Sequence, residues 1–220
     1  FKRRDLLRRS LRHYAKCKDS GRATVKEIRV VWSEQVSVPS AREGDDEKAY
    51  FLDRPEFVRY DKHVGSTSIQ NRFEKIDDLK TEAVFHVDDD VRMPCGALDK
   101  GFEAWRANRD VLVGFFPRAH AWSAPLCRHA YVWDDWSLRS GGEFSIVLTK
   151  AAFSKTQYLE LYKRGLPREA REYIDERKNC EDVAMQLLTS AATNAPPVYV
   201  APPAPSIYTE PGRSPTPERS

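Results

Sequence analysis

The amino-acid sequence predicts an α/β fold in which a mostly parallel central sheet lies between layers of helices. Two observations lead to this prediction. Short runs rich in Val, Ile and Phe alternate along the chain with segments whose apolar residues recur at helical spacing. Strands that alternate with helices are typical of a sheet covered by helices on both faces. The chain has 220 residues, of which 40% are hydrophobic, so it is long enough to bury such a core.

The first predicted element is an amphipathic helix. Asp5 is placed to cap it, and the helix runs to about Lys16 because Leu7, Leu11 and Tyr14 then share one face.

The remaining elements follow from β-prone runs, helical spacing and clusters of turn residues. The predicted strands are 27–32, 57–60, 83–87, 110–116, 130–133 and 144–149. The predicted helices are 71–79, 97–108, 154–163, 168–177 and 180–191. Loops are predicted at 37–54, which is polar and acidic, and over most of 118–143.

The end of the chain differs in composition from the rest. Eight of the 14 prolines fall within the last 25 residues, from Pro196 onward. Such composition predicts an extended or disordered segment rather than a packed element. We therefore expect a domain over about 1–200 and a proline-rich tail over 201–220.

Composition also limits the classes of function. Net charge is +3, but residues 1–29 carry eleven Lys or Arg against three Asp or Glu. We interpret this segment as the solvated face of a helix and expect no nucleic-acid partner, since no stacking pattern or nucleic-acid motif accompanies it. The chain lacks the phosphate-binding, dinucleotide-binding, metalloprotease and nucleophile-elbow patterns, which argues against kinases, dehydrogenases and common hydrolases.

Cysteine usage and hydropathy give weaker constraints. Four cysteines occur, at positions 17, 95, 127 and 180, and none forms a C-x-x-C pair. An even count permits disulfides without requiring them. No apolar run is long enough to cross a bilayer and no signal peptide opens the chain, so we expect any membrane anchor to lie outside these residues.

The strongest chemical signal is a run of three aspartates, Asp88, Asp89 and Asp90, directly after the predicted strand 83–87. Open α/β sheets bind ligands beyond the carboxyl ends of their strands. Neighbouring carboxylates repel one another, and a bound Mg²⁺ or Mn²⁺ would relieve that repulsion while bridging to a substrate phosphate. The alternative is an acidic turn in solvent.

A second acidic group, Glu181 and Asp182, opens the last predicted helix behind Asn179. Carboxylates in a first helical turn are favoured by the helix dipole, so the pair can have a purely structural role. The functional interpretation is a carboxylate that stabilises a developing cation or a proton transfer.

Two further positions have both structural and functional interpretations. Arg72, within Asn71-Arg72-Phe73, can bind phosphate or sugar oxygens in fork geometry, or it can be an ordinary surface arginine. Gly114 lies between a strand and two aromatic residues and indicates either a close approach of the backbone or a strand end.

Taken in order along the chain, seven segments resemble the exostosin-type enzymes of glycosyltransferase family 64. The resemblance covers roughly residues 1–200, and each segment alone is weakly specific. The matching segments are 1–7, which looks like the family's T-Y-x-R-x-D-L-L, and 30–33, 71–73, 87–90, 113–118, 144–149 and 179–182. The resemblance implies a GT-A fold, a nucleotide-sugar-binding α/β/α sandwich.

The resemblance also implies roles for residues at the matched positions. Asp90 is expected to ligate Mn²⁺, which holds the diphosphate of a UDP-sugar. Asp88 is expected to bind the ribose and Asp89 to face the donor sugar. Asp182 is expected to lie under the anomeric carbon with Glu181 beside it.

The remaining expected substrate contacts surround the donor. Arg72 is expected to contact it, with Asn71 in the same segment, while Arg3 and Ser33 lie around the uridine.

The implied reaction transfers a hexosamine or related hexose from the UDP-sugar to a glycan or glycolipid acceptor, with retention of anomeric configuration. The resemblance places it on the lumenal side of the Golgi or endoplasmic reticulum membrane. Departure of UDP leaves negative charge that a divalent cation stabilises, and the sugar becomes cation-like. Whether Asp182 forms a covalent intermediate or stabilises a same-face exchange stays open, as does a homo-oligomeric state.

Some positions depart from the family pattern. Ser33 and Thr67 stand where relatives often have Asn, and Lys150 replaces a usual Gly. By the same resemblance the chain begins near the end of an expected first strand, and it lacks a closing His, Arg and Cys, including a partner for Cys180. The alternative function is therefore a catalytically inactive domain of the same fold that binds nucleotide or glycan.

Overall fold

A computed structural model describes residues 3–21, 25–38, 56–132 and 142–202, and the backbone of 208–209. Among these residues the protein is a mixed α/β fold with five α-helices. The helices are α1 (Arg4–Asp19), α2 (Cys95–Ala107), α3 (Gln157–Gly165), α4 (Arg168–Arg177) and α5 (Glu181–Thr193). Within this part of the chain, no helix is both long and apolar enough to cross a membrane.

The strands are short. In chain order they are β1 (Ile28–Trp32), β2 (Val58–Lys62), β3 (Ala83–Val87), β4 (Val91–Arg92), β5 (Val113–Gly114), β6 (Pro117–Ser123), β7 (Arg128–Val132), β8 (Ile146–Val147), β9 (Ala151–Lys155), β10 (Val198–Tyr199) and β11 (Tyr208–Thr209). Residues Ile69–Phe73 and Ala124–Leu126 form short 3-10 helices.

The central sheet has the strand order β10-β5-β9-β3 and is mixed. β10 runs parallel to β5, whereas β9 is antiparallel to both of its neighbours. A separate pair, β1 with β2, is parallel. The prediction of an α/β class is thus confirmed, but the prediction of a mostly parallel central sheet is wrong, because strand direction depends on pairings between distant segments that local patterns do not contain.

Two apolar clusters pack against this sheet. One joins β5 and β9 to α1 and α2 through Tyr14, Leu98, Trp105 and Phe153. The other joins Leu112, just before β5, and Tyr199 of β10 to β8, α3, α4 and α5. Gly114 lies where β5 approaches β9, since a Cβ there would be 2.9 Å from the Ala152 Cβ. The close-approach interpretation of Gly114 is therefore confirmed.

Several local predictions agree with the structure. The predicted segments 27–32, 57–60 and 83–87 correspond to β1, β2 and β3, and 97–108, 168–177 and 180–191 correspond to α2, α4 and α5. Asp5 does not cap α1: the N-cap is Arg3, and Asp5 lies inside the first turn, where its charge favours the helix dipole. Most of the predicted loop 37–54 lies outside the described residues.

Other local predictions are wrong in part. The predicted helix 71–79 is only the 3-10 turn Ile69–Phe73, after which Asp78 pairs with Arg29 at 2.7 Å. The loop predicted over most of 118–143 instead contains β6, which lacked an apolar signal because much of it is exposed, whereas the predicted strand 130–133 corresponds to β7. β9, which has weak β propensity but is buried, replaces the start of the predicted helix 154–163, and the rest of that helix corresponds to α3. β10 packs in the sheet, so packed structure extends past Pro196 within the expected domain 1–200.

The geometry of β1 and β3 places the predicted site. Among the described strands, β1 pairs only with β2 and β3 only with β9, and a groove of about 520 Å³ separates β1 from β3. Trp32 and Val87, the last residues of these strands, line a second cleft together with the residues that follow them. The side chains that follow β1 and β3 in the chain therefore lie at one edge of the molecule.

A disulfide between Cys17 and Cys95 joins α1 to α2 across a sequence separation of 78 residues. Closing so long a loop lowers the entropy of the unfolded chain.

We predict that replacing both cysteines by serine lowers the free energy of unfolding by about 2–4 kcal/mol in urea titrations. Cys127→Ser, which alters an exposed free thiol, is the control and leaves the midpoint unchanged. Equal midpoints for all three proteins would contradict a stabilising role for the bridge.

Candidate functional site

A cleft of about 400 Å³ lies at the carboxyl ends of β1 and β3. The side chains that line it come from α1, the ends of both strands, the 3-10 helix at 69–73 and the start of α5. Those singled out in the sequence are Arg3, Ser33, Thr67, Arg72, Asp88, Asp89 and Glu181. Asp88, Asp89 and Glu181 thus share one cleft, although 93 positions separate Asp88 from Glu181 in the chain. Asp90 and Asp182 are their chain neighbours but are not among the residues that line the cleft.

A tight turn presents the three aspartates in different directions. The backbone N–H of Asp88 donates to the Lys150 carbonyl at 3.1 Å, and the Val91 N–H donates to the Asp88 carbonyl at 3.1 Å. Asp88 faces Arg72, whereas Asp89 and Asp90 face Arg3. Each carboxylate is therefore partly neutralised by an arginine from another element.

Arg72 is the central cation of the site. Its Nη1 lies 2.8 Å from Asp88 Oδ1 and 3.5 Å from Glu181 Oε1, and its Nη2 donates to the Thr149 carbonyl at 3.0 Å. The 3-10 helix that carries it is capped by Ser68, whose Oγ accepts from the Gln70 N–H at 3.1 Å. One guanidinium thus connects a strand end, a helix start and the loop after β8.

The environment of Arg72 favours its charged form. Burial alone lowers its pKa, but the negative charges of Asp88, Glu181 and Asp182 outweigh burial and raise the pKa. The neighbouring His86 is affected in the opposite way: burial, with a contribution from the Arg72 charge, lowers its pKa to about 3. His86 is therefore neutral, and it contacts Ser154 Oγ at 2.8 Å.

The start of α5 presents the second acidic group. Cys180, the N-cap, adopts a left-handed conformation with φ of 76°, and Asp182 Oδ1 accepts from the Val183 N–H at 2.8 Å. Burial is the main cause that raises the pKa of Glu181 and of Asp182, while the charge of Arg72 lowers both. The dipole of α5 further favours these carboxylates.

Arg3 closes the opposite side of the aspartate turn. Its Nη2 lies 2.6 Å from Asp89 Oδ1, and its Nη1 donates to Asp90 Oδ2 at 2.9 Å. Burial raises the pKa of Asp89, and the charge of Arg3 opposes that change. Arg3 therefore lies on the carboxylates that were predicted to meet the metal and the donor sugar.

The described residues do not form a cation site from protein ligands alone. No group of three or more His, Cys, Asp or Glu side chains converges in the parts of the chain that the structure describes. Asp90 offers one carboxylate, and its Oδ2 accepts from Arg3 at 2.9 Å. Sites with one or two protein carboxylates hold Mg²⁺ or Mn²⁺ only together with substrate phosphates and water.

Asn71 and Ser33 form a pair beside the cleft. Asn71 Nδ2 donates to Ser33 Oγ at 2.9 Å, and the Ser66 hydroxyl donates to Asn71 Oδ1 at 3.0 Å. Asn71 is 6% exposed and is not among the residues that line the cleft, whereas Ser33 is. The structure thus gives Asn71 a role in holding Ser33 in place.

Thr149 contributes to the site, although its sequence context predicted no role for it. Its carbonyl accepts from Arg72, its side chain is fully buried, and its Oγ1 has no hydrogen-bond partner among the described residues. A backbone carbonyl has no sequence signature, so only the position of Thr149 after a β-prone run could have drawn attention to it.

The chain is similar to known glycosyltransferases over most of its length. The family model described as glycosyl transferase family 64 domain matches residues 1–214. Glycosylinositol phosphorylceramide mannosyl transferase 1 of Arabidopsis thaliana is 37% identical over 216 residues, which cover 91% of this chain and 60% of the relative. Exostosin-2 of Homo sapiens is 36% identical over 140 residues, 63% of this chain and 19% of that protein.

A second plant protein is also similar: glucosamine inositolphosphorylceramide transferase 1 of Arabidopsis thaliana, 31% identical over 86% of this chain and 22% of its own length. The chain therefore spans from about a fifth to three fifths of these relatives. The family model covers nearly the whole chain, and the matched region includes every residue of the cleft. The chain belongs to glycosyl transferase family 64.

Proposed function

We propose that this domain is a metal-dependent, retaining glycosyltransferase with a GT-A fold. It transfers a hexosamine or related hexose from a UDP-sugar to a glycan or glycolipid acceptor. The observation that carries the proposal is the shared cleft, in which Arg72 joins the aspartate turn to the acidic start of α5. Family membership supports glycosyl transfer, and the names of the relatives support a sugar-bearing or lipid acceptor.

The donor side of the reaction needs cations near a diphosphate. Arg3 and Arg72 both line the cleft, and guanidinium groups bind phosphate oxygens in fork geometry. Asp90 would hold Mn²⁺ together with the diphosphate, and a divalent cation there supplies Lewis-acid stabilisation of the leaving UDP. Asp88 and Asp89, on the same turn, are placed to accept hydrogen bonds from ribose and donor-sugar hydroxyls.

The donor sugar needs a negative charge close to its anomeric carbon. When UDP departs, positive charge develops at the anomeric carbon, as in glycoside hydrolysis. Asp182 and Glu181 are partly buried carboxylates at a helix start, and water screens such fixed charges less than it screens exposed ones. Asp182 stabilises this charge whether it forms a bond to the sugar or supports a same-face exchange.

We further propose that the domain works in the lumen of the Golgi or endoplasmic reticulum. The disulfide between Cys17 and Cys95 supports this, since such bonds persist in oxidising compartments and are rare in the cytosol.

The first test concerns the carboxylates. We predict that the protein with Mn²⁺ hydrolyses at least one UDP-sugar, and that Asp182→Asn lowers kcat roughly 100-fold because the cationic transition state loses its counter-charge. UDP release is the measurement, and Glu176→Gln, on an exposed carboxylate of α4, is the matched control. Full hydrolysis by Asp182→Asn would contradict the proposal. UDP binding without turnover in the unaltered protein would support the inactive-domain alternative.

The second test concerns the cation. We predict that chelation weakens UDP binding by roughly tenfold in the unaltered protein, measured by calorimetry with Mn²⁺ and with EDTA. Asp90→Ala is expected to bind UDP weakly under both conditions, because the carboxylate that would share the cation is gone. Asp77→Asn, an exposed carboxylate outside the cleft, serves as the control. A chelation effect that is unchanged in Asp90→Ala would rule out Asp90 as the metal ligand.

The third test uses pH. Asp182 must be ionised to act. Because its pKa is raised, we expect acidification to abolish activity at a higher pH than it would with an ordinary aspartate. Arg72 lowers the pKa of Asp182 and Glu181, so Arg72→Gln is expected to move this acid limb of kcat to still higher pH. Arg72→Lys keeps a charge and is expected to shift the limb less. An acid limb at the same pH in all three proteins would show that these carboxylates do not control it.

A further inference from the structure

The β6–β7 hairpin carries four aromatic side chains on one face. His120 lies opposite Tyr131 and Trp122 lies opposite His129 in the antiparallel register. Directly opposed residues, and residues two apart on one strand, project to the same side of a hairpin. His120, Trp122, His129 and Tyr131 therefore form one surface, called here the aromatic face.

The aromatic face is open to solvent although its rings contact one another. The ring centroids of His120 and His129 are 5.3 Å apart, and those of Trp122 and His129 are 5.6 Å apart. Trp122 is 61% exposed and Tyr131 is 49% exposed. Single exposed apolar residues are ordinary, whereas a contiguous exposed set marks a binding surface.

The hairpin is tied to the elements that form the cleft. β6 pairs with β8 through Pro117 with Val147 and Arg118 with Ile146, and β8 leads within two residues to Thr149, which accepts from Arg72. The Val147 N–H also donates to Gln186 Oε1 on α5, the helix that begins with Glu181.

Tyr131 is the residue of the aromatic face whose pKa responds to the acid pair. Burial raises its pKa, Arg118 opposes that effect, and the charge of Asp182 adds to it. Trp122 lies one residue pair further along the hairpin, by roughly 7 Å on the spacing of residues two apart in a strand. The aromatic face thus offers stacking surfaces for one or two pyranose rings.

We propose that the aromatic face binds pyranose rings of the acceptor glycan. The inference rests on the proposed function and extends it to the acceptor. A pyranose has an apolar C–H face that packs on aromatic rings, and hydroxyls at its edge that imidazole nitrogens can bind. Trp122 and Tyr131 supply the stacking surfaces, and His120 and His129 supply the polar groups between them.

Binding without a donor gives the direct test. The probes are the methyl glycosides of mannose, galactose and glucuronic acid, titrated into the unaltered protein and followed by saturation-transfer NMR. At least one is expected to bind, and Trp122→Ala and Tyr131→Ala are each expected to weaken it roughly fivefold through loss of a stacking surface. Trp122→Phe, which keeps an aromatic ring, is expected to recover most of the affinity. Tyr173→Ala removes an equally exposed aromatic side chain from α4 and is the matched control.

A turnover assay then distinguishes the proposed function from the proposed role of the aromatic face. With a UDP-sugar and a glycoside present, the ratio of transfer to hydrolysis is expected to fall in Trp122→Ala and to stay constant in Tyr173→Ala. Absence of hydrolysis in the unaltered protein contradicts the proposed function, but glycoside binding still decides the role of the aromatic face because no donor is needed. No binding of any probe, or equal binding by Trp122→Ala and the unaltered protein, would overturn the inference.

Discussion

The guanidinium of Arg72 holds together three parts of the chain that are distant in sequence. Through its two terminal nitrogens it contacts the aspartate turn after β3, the carbonyl of Thr149 and the first residue of α5. Glu181 would otherwise be a partly buried carboxylate close to Asp88 and Asp182, and like charges at low dielectric are costly. Arg72 offsets that cost, and the acidic groups can therefore face one cleft. Because these partly buried ion pairs have geometric requirements, they also favour one approach of β3 to α5.

Charge in the cleft is arranged in two zones. Arg3 lies on Asp89 and Asp90 at one side, and Arg72 lies between Asp88 and Glu181 at the other. Such an arrangement suits a donor that is anionic at its diphosphate and cation-like at its sugar in the transition state. In this proposal Glu181 and Asp182, whose pKa values are raised, face the donor sugar, and Arg72 lies between Glu181 and the aspartate turn.

The scaffold provides rigidity in the places where these charges need it. The Cys17–Cys95 disulfide joins α1, which begins beside Arg3, to α2, which follows the aspartate turn. On the opposite side β8 connects the β6–β7 hairpin to the loop that carries Thr149. The proposed donor surface lies at the end of β3 in the central sheet, and the proposed acceptor surface lies in the sheet β7-β6-β8. The chain passes from β8 through residues 148–150 into β9, which links the two sheets.

The sequence alone determined the features that depend on neighbouring residues. The alternation of strands and helices, the aspartates after an apolar run, and the acidic start of α5 all follow from local spacing and propensity, and the seven ordered motifs indicated the family. Strand direction in the mixed sheet, the strand β9, the exposed hairpin, the partners of Arg72 and Arg3, and the pairing of Cys17 with Cys95 were decided only by the tertiary structure. Each of these depends on contacts between distant segments or on burial, and neither can be read from the order of adjacent residues.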